Sequence, residues 1–301
     1  MNADAGSVSP MNSSSARTDF LHTATSVSWR RSLGNKVLNV LCAVLAFLTL
    51  IPLFSILFLV LKNGLPLLGW ETLTQLPPVS GTTGGGIGNA IVGTLVMVGL
   101  AIALATPFGV LSAIYVNEYA PNAPLAHAVR FVAKLLTGIP SIISGVFAYA
   151  VVVLTTGSFS AWAGGFALAV LVLPTILLTA EQALLGVPKT YREASYGLGA
   201  TNFQTIWRVV LPDALPAMMT GLMLAVARAA GETAPLLFTA LFSYGWIESL
   251  NEPTASLSVL IYNFSTTFDD HQKQMAWTAS LVLVILVTLA NVGAQALFRK
   301  K

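Results

Sequence analysis

Residues 37–61 read VLNVLCAVLAFLTLIPLFSILFLVL, a run of 25 residues without a charged side chain. A helix of that length extends about 37 Å at ~1.5 Å per residue, which exceeds the ~30 Å hydrocarbon core of a bilayer. The run is also too long for the apolar region of a cleaved secretory signal, so we interpret it as a transmembrane helix. In lipid the backbone must satisfy its own hydrogen bonds, and a chain built of such runs is therefore helical.

The composition places the whole chain in the same class. Of 301 residues, 55% are apolar and only 9% are charged, too few charges to cover a soluble surface and too many apolar residues for disorder. The single cysteine, Cys42, lies inside the first apolar run, which excludes a disulfide scaffold and a thiolate metal site. We expect no metal site, because the three histidines are scattered through the tail and loops.

Five further apolar stretches predict spans two to six, at residues 89–116, 131–154, 161–180, 214–233 and 276–298. The third is interrupted at Gly138, Ile139 and Pro140, and the fifth could continue to Phe242. We therefore predict an all-α integral membrane protein with six transmembrane helices. Its expected parts are a flexible cytoplasmic tail (1–36), the first transmembrane helix with an external segment (37–86), and a membrane core (87–298).

Lys and Arg predict the orientation of these spans. Twelve of the 15 basic residues fall on the side of the N-terminal tail, Lys62 and Lys273 fall on the other, and Arg228 lies within the fifth span. Because basic residues are enriched in cytoplasmic loops, we expect both termini in the cytoplasm. Segment 181–213 is then a cytoplasmic loop. The basic residues flank the membrane, so they do not indicate a nucleic-acid partner.

Loop 181–213 is rich in helix formers and charges. Pro188 suits the start of a short helix, Gly197 and Gly199 suit its end, and a second helix is expected at 203–210. This pattern is too ordered for a plain linker. An interfacial helix without a partner is the alternative to a docking element.

A spaced motif within this loop resembles the EAA loop of ABC importer permeases, whose pattern is EAA, three residues, G, nine residues, I-x-L-P. The matching residues are Glu193, Ala194, Ser195, Gly199, Val209, Leu211 and Pro212. Ser195 stands in place of the third Ala and Val209 in place of Ile, and both are close in size. The resemblance implies a type-1 ABC permease whose cytoplasmic coupling helix, between helices 4 and 5, docks on a separate ATPase subunit.

Physical reasons fit a docking role for these residues. Small side chains at Ala194 and Ser195 would let a partner surface approach closely, and Gly199 permits a sharp bend. Leu211 and Pro212 would pass the motion on to the fifth span. Glu193 has another interpretation, as an acid near a helix start that complements the helix dipole. No G-x-x-x-x-G-K-[S/T] motif occurs, so we expect no cofactor on this chain, with ATP and Mg on the partner ATPase.

Arg228 and Glu232 are charged residues in the fifth apolar stretch. A charge near the middle of a bilayer costs about 2.5–3.5 kcal/mol on insertion scales, so such residues pair or face a polar pathway. Spaced by four, the two side chains can form an ion pair that locks helix packing. Alternatively, the Arg228 guanidinium can bind an oxyanion through two parallel hydrogen bonds.

Three stretches resemble one branch of this family, the A-type permease subunit of the phosphate-specific ABC importer. They are residues 227–239 (ARAAGETAPLLFT), 138–142 (GIPSI) and 85–94 (GGIGNAIVGT). The resemblance implies a permease of an ATP-driven importer of inorganic phosphate in the cell inner membrane, not an enzyme. It also implies a heterodimer with a C-type phosphate permease subunit, an ABC ATPase dimer and an external phosphate-binding protein. The translocation residues would be Arg228, Gly231, Glu232 and Thr233.

Two glycine-containing sites have open interpretations. Gly85 and Gly86, before the second span, could form a backbone N–H nest for anions or a flexible hinge. Gly138, Pro140 and Ser141 could open the third span toward the pathway, or could form a harmless kink.

Other functions compete with phosphate import. The cargo could be another oxyanion, such as sulfate, molybdate or phosphonate, although Glu232 as a hydrogen-bond acceptor suits a protonated oxyanion. An intramembrane hydrolase would need paired catalytic residues, and no Asp or His lies within a predicted span. A passive channel would leave the coupling loop without a purpose.

Overall fold

The computed structural model describes residues 29–298, and within that range it contains helices and no β-strand. Most of the predicted tail, residues 1–28, and residues 299–301 lie outside the described range. The helices are α1 (Trp29–Gly64), α2 (Trp70–Thr74), α3 (Gly88–Ile114), α4 (Pro124–Thr137), α5 (Ser141–Ala148), α6 (Ala161–Leu185), α7 (Lys189–Gly197), α8 (Asn202–Thr205), α9 (Leu211–Gly231), α10 (Ala234–Leu237), α11 (Leu257–Ser265) and α12 (Asp270–Phe298). Three π-helical turns extend or connect these helices. Tyr115–Tyr119 continues α3, Tyr149–Val153 continues α5 to a last helical turn at Leu154–Thr156, and Ile206–Val210 joins α8 to α9.

Five helical segments of the described range are long and apolar enough to cross a membrane, and a bent pair supplies a sixth. The five are Leu33–Gly64, Gly88–Tyr119, Ala161–Leu185, Asn202–Gly231 and Asp270–Ala296. The sixth is α4 with the helix that begins at Ser141. This all-helical architecture confirms the predicted fold class.

The third span is not the single helix expected at 131–154. Helix α4 starts earlier, at Pro124, and the chain turns by 106° before the next helix, Ser141–Thr156. The cause lies at Pro140, which has no N–H to donate and disfavours helical backbone at Ile139 before it. The predicted interruption is therefore a sharp corner that sets α4 across the direction of α5.

Two other boundaries differ from expectation. Helix α6 runs to Leu185 rather than residue 180, because Glu181 is buried within it as an ordinary helical residue. The fifth span does not continue to Phe242. Helix α9 ends at Gly231, and Glu232 has extended backbone (φ −77°, ψ 129°) before the short α10.

The chain divides into two compact units within α1, after Phe58. In the first unit the described side chains, from residue 33 onward, are all exposed and mostly apolar. In the second unit, the end of α1 is fixed to α12, where the Thr278 hydroxyl donates to the carbonyl of Gly64 at 3.0 Å.

Helices of the second unit approach one another through small residues. Gly109 of α3 lies against Ile176 of α6, and Gly165 of α6 lies against Leu100 of α3. Buried alanines such as Ala101 and Ala105 fill the same interface. Small residues at helix contacts are typical of membrane bundles, where close van der Waals packing holds helices together.

The glycine run before α3 forms a tight hairpin. Gly85 has φ +76°, and a Cβ on Gly86 would lie 2.5 Å from the Thr72 carbonyl oxygen. The N–H groups of Gly86 and Ile87 donate to Leu76 and Thr72 carbonyls at 2.8 and 2.7 Å. Because these donors are occupied within the chain, the geometry does not favour an anion nest here, and the close packing does not favour a flexible hinge.

Asp269, just before α12, fastens this hairpin. Its carboxylate accepts hydrogen bonds from the backbone N–H groups of Gly81 at 2.7 Å and His271 at 2.8 Å. The bond from Gly81, followed by that from Gln272, holds the pKa of Asp269 below its ordinary value.

Gly93 of α3 provides a test of the close packing in the second unit. A Cβ there would collide with the Ala255 carbonyl oxygen, so we expect Gly93→Val to destabilise the protein by about 3 kcal/mol, the upper end of overpacking costs. The midpoint of thermal unfolding in detergent measures the loss. Gly99→Val on the same helix is the matched control, because a Cβ there meets nothing within 4 Å. Equal midpoints for the two variants would contradict the packing described.

Candidate functional site

Arg228 lies in the last turn of α9, and Glu232 lies just past the end of that helix. The Arg228 Nε is 3.4 Å from Glu232 Oε1, and its Nη1 is 3.5 Å from the Thr175 hydroxyl on α6. The Arg228 side chain is 34% exposed and that of Glu232 is 19% exposed. The predicted i,i+4 pair is therefore present, in a long and partly accessible form.

The Arg228 guanidinium has hydrogen-bonding capacity to spare. It carries five N–H donors, and the two contacts to described residues both lie at the outer limit of hydrogen-bond length. A charge held this loosely inside an apolar bundle gains from any anion that reaches it. The geometry therefore favours the anion-site interpretation over a locked structural pair.

A cavity of about 320 Å³ opens beside Arg228. It lies at the corner between α4 and α5 and is bordered by α6 and α9. Its lining residues are Leu136, Ile139, Pro140, Ser141, Ile143, Ser144, Phe147, Val170, Leu171 and Arg228. Arg228 is the charged residue of this otherwise apolar and hydroxyl-bearing wall. With ~30 Å³ per water molecule, the volume is that of roughly ten waters, enough for a small oxyanion.

The sequence-predicted residues of the third span fall on this wall only in part. Pro140 and Ser141 line the cavity, whereas Gly138 ends α4 and is not among its lining residues. Ser144, which sequence reasoning missed, lines it one turn further along α5. Its hydroxyl donates to the Ser141 carbonyl at 2.7 Å.

The residues after Arg228 turn the chain back onto α5. Gly231 ends α9 and has open space where a Cβ would project, and the Thr233 carbonyl accepts the first hydrogen bonds of α10. Pro235 then lies directly against Gly145 of α5. Gly85 and Gly86 are not part of the cavity wall. Within the described range no group of three or more His, Cys, Asp or Glu side chains is placed to hold a metal ion.

The EAA-like residues occupy two different environments on α7. Glu193 and Ala194 are exposed. Ser195 is buried, with its hydroxyl 2.9 Å from the Thr205 hydroxyl, so it closes α7 onto α8. The expected small-residue patch for a partner is therefore wrong at Ser195, which packs inside the loop.

Large apolar side chains give the same loop an exposed apolar surface. Leu198 is 90% exposed, and Phe203 and Trp207 are exposed with their rings 5.8 Å apart. Sequence reasoning missed this face, although apolar residues in a charged loop were a usable signal. An exposed apolar cluster of this kind marks a site for another protein or a membrane surface.

Backbone conformation explains the two loop glycines differently. Gly199 has φ +81°, a left-handed conformation that side chains with a Cβ rarely adopt, whereas Gly197 lies in the last turn of α7. Leu211 and Pro212 begin α9 without a break after the π-helical turn, so α8 and α9 form one continuous segment.

The amino-acid sequence matches one protein family and several known relatives. The family described as "Binding-protein-dependent transport system inner membrane component" matches residues 105–301. The chain is 37% identical over 274 residues to the "Phosphate transport system permease protein PstA" of Yersinia pestis, covering 91% of this chain and 92% of that protein. It is 36% identical to the protein of that name from Haemophilus influenzae, covering 91% and 96% of the two chains. A "Probable phosphate transport system permease protein PstA" from Methanocaldococcus jannaschii is 36% identical, with 85% and 90% covered.

Solved structures share the fold at lower identity. A bacterial ABC transporter involved in the import of the acidic polysaccharide alginate matches with a TM-score of 0.63 and 17% identity, covering 90% of this chain and 98% of that chain. The inward-facing MetNI methionine ABC transporter matches with a TM-score of 0.57 and 23% identity, covering 81% and 97%. These likenesses place the helix arrangement among ABC transporter membrane domains.

The two loop glycines give a matched test of the α7 turn. Forcing a Cβ into the left-handed backbone at Gly199 costs about 1–2 kcal/mol, so we expect Gly199→Ala to speed amide hydrogen exchange across residues 189–199 about tenfold. Gly197→Ala should leave exchange unchanged or slow it, because alanine is the better helix former. Faster exchange in both variants, or in neither, would count against this assignment of strain.

Proposed function

We propose that this chain, which belongs to the family of binding-protein-dependent transport system inner membrane components, is a membrane-spanning permease subunit of an ATP-driven importer of inorganic phosphate. The observation that carries the proposal is the under-bonded Arg228 guanidinium beside a cavity at the corner of α4 and α5. The relatives named above are transport permeases rather than enzymes, which removes the intramembrane hydrolase.

Arg228 can hold phosphate in a way that suits transport. Its planar fork matches two oxygens of a phosphate group, and the N-terminal end of α5, at Ser141, adds a favourable dipole. When the cavity is empty, Glu232 balances the charge at 3.4 Å. An arriving oxyanion needs to displace only this long contact, and Glu232 can then accept a hydrogen bond from a protonated phosphate.

The charge distribution supports an orientation with the α7 end of the bundle in the cytoplasm of the cell. Arg130, Lys134, Lys189, Arg192 and Arg208 lie on α4, α7 and the turn before α9. The opposite end carries Lys62 and Lys273, the latter paired with Asp270 at 3.0 Å. By the positive-inside rule both termini then face the cytoplasm across the inner membrane.

A separate ATPase dimer supplies the energy, with ATP and Mg bound there rather than on this chain. The exposed side chains of Leu198, Phe203 and Trp207, together with the exposed Glu193, are the docking surface for that subunit. A C-type phosphate permease completes the membrane pore as a heterodimer, and an external phosphate-binding protein delivers the cargo. The family's description as a binding-protein-dependent system supports this assembly.

The role of Arg228 is tested by replacing it in the assembled importer. Loss of two charge-assisted hydrogen bonds, at ~1.5 kcal/mol each, predicts that Arg228→Ala lowers uptake of radiolabelled phosphate into proteoliposomes about 100-fold. Arg228→Lys keeps the charge without the fork and should lower it less. The exposed Lys134→Ala on α4 is the control and should transport normally. Normal uptake by an Arg228→Ala complex that still contains the ATPase would refute the anion site.

The cargo is separated from its alternatives by competition. In the wild-type complex, unlabelled phosphate should suppress labelled uptake, while sulfate, molybdate and a phosphonate at the same concentration should not. Suppression by one of those anions at equal or lower concentration would reassign the cargo within the oxyanion class.

A further inference from the structure

Two buried carboxylates lie at the α7 end of the bundle, away from the Arg228 cavity. Glu118, in the π-helical turn that ends α3, and Glu181, near the end of α6, have side chains only 6% exposed. Burying such a charge is costly unless it is paired and hydrogen-bonded. Each is met by an arginine from a different helix.

Arg192 of α7 pairs with Glu118 through two nitrogens. Its Nη2 donates to Glu118 Oε1 at 2.6 Å and its Nε donates to Oε2 at 3.2 Å. The same guanidinium also donates to the carbonyls of Leu184 at 3.0 Å and Val187 at 2.8 Å. One side chain of α7 therefore binds the end of α3 and the end of α6.

Arg130 of α4 also bonds to this π-helical turn. Its Nε lies 2.5 Å from Glu181 Oε1, and its Nη2 donates to the Val116 carbonyl at 2.9 Å. Its Nη1 donates to the Pro121 carbonyl at 2.9 Å. The turn Tyr115–Tyr119 is thus held between an arginine from α4 and an arginine from α7.

The short connection between α6 and α7 shows what Arg192 adds. Only residues 186–188 separate the two helices, and such a link alone would let α7 swing relative to α6. The bonds from Arg192 to Leu184 and Val187 lock that link, and the bond to Glu118 ties α7 to a helix more than 70 residues earlier in the chain. Stability alone does not require this, because well-packed apolar residues usually do as well as a buried ion pair.

We propose that Arg192 and Glu118, braced by Arg130 and Glu181, form a positioning clamp that makes α7 move as one body with the ends of α3 and α6. This inference rests on the proposed function, in which α7 receives the motion of the ATPase. Helix α9 receives that motion through its continuous connection to α8, and the clamp adds α6, which carries Val170 and Leu171 on the wall of the same cavity. Two of the helices that line the anion site, α6 and α9, are then driven from one loop.

A distance measurement tests the clamp without regard to cargo. Spin labels at Leu111→Cys on α3 and Lys189→Cys on α7, both exposed positions, are placed in the assembled importer with the exposed Cys42 changed to Ser. With Arg192 and Glu118 intact, we expect one narrow distance that is the same with and without bound ATP. Arg192→Gln, and independently Glu118→Gln, should broaden it and make it change on ATP binding. A distribution as narrow and as constant as wild type in both variants would overturn the clamp.

A phosphate-uptake assay tests the functional effect of the clamp. Relative to wild type, Arg192→Gln should lower phosphate uptake per assembled complex about tenfold, within the usual range of coupling between sites, while basal ATPase activity persists. Arg192→Lys, which keeps the charge but loses the fork, should be intermediate, and Lys134→Gln is the exposed control. Normal uptake per complex in Arg192→Gln would also overturn the clamp. A wild-type complex that takes up no phosphate would instead overturn the proposed cargo. The distances between the spin labels would still show whether α7 moves together with α3.

Discussion

The structure depends on one guanidinium kept charged and under-bonded inside an apolar bundle. Arg228 sits on α9 with contacts of 3.4 and 3.5 Å to Glu232 and Thr175, and with a cavity on its other side. Deep burial without a partner would be too costly, and a close ion pair would leave nothing for a ligand. The long contact to Glu232 lies between these limits, since it balances the charge of Arg228 without the short distance of a tight ion pair.

The same residue types serve the opposite purpose at the α7 end. Glu118 and Glu181 lie 2.6 and 2.5 Å from their arginines and are almost fully buried. Those arginines also donate to backbone carbonyls, so that Arg192 uses four of its five N–H groups and Arg130 uses three. Bond length and the number of occupied donors, rather than residue identity, thus distinguish the tight, buried pairs at the α7 end from the loose pair of Arg228 and Glu232.

Sequence patterns predict the local features of this protein well and the long-range ones poorly. Hydropathy finds the spans because each span is an apolar helix that forms its own backbone hydrogen bonds. The spaced motif that includes Gly199 and Pro212 locates the loop that carries α7 and α8. Pro140 predicts an interruption, but not the 106° angle between the two helices, because a proline alone does not fix the direction of the chain after it. The pairing of Glu118 with Arg192, and the burial of Ser195 against Thr205, join residues whose proximity exists only after folding, so no local pattern contains them.

The corner at Pro140 connects these observations. A straight third span would fill the space beside α6 and α9, whereas the bend leaves a cavity there and sends α4 toward the α7 end. Helix α4 then contributes Leu136 to the cavity wall and Arg130 to the contacts with Glu181 and the turn after α3, so one helix of 14 residues links the cavity beside Arg228 to the buried ion pairs. Because α4 is short, bonded through Arg130 and packed at the cavity through Leu136, a displacement of α6 or of the turn after α3 would reach the cavity as a shift of the helix, which is how packed elements transmit motion.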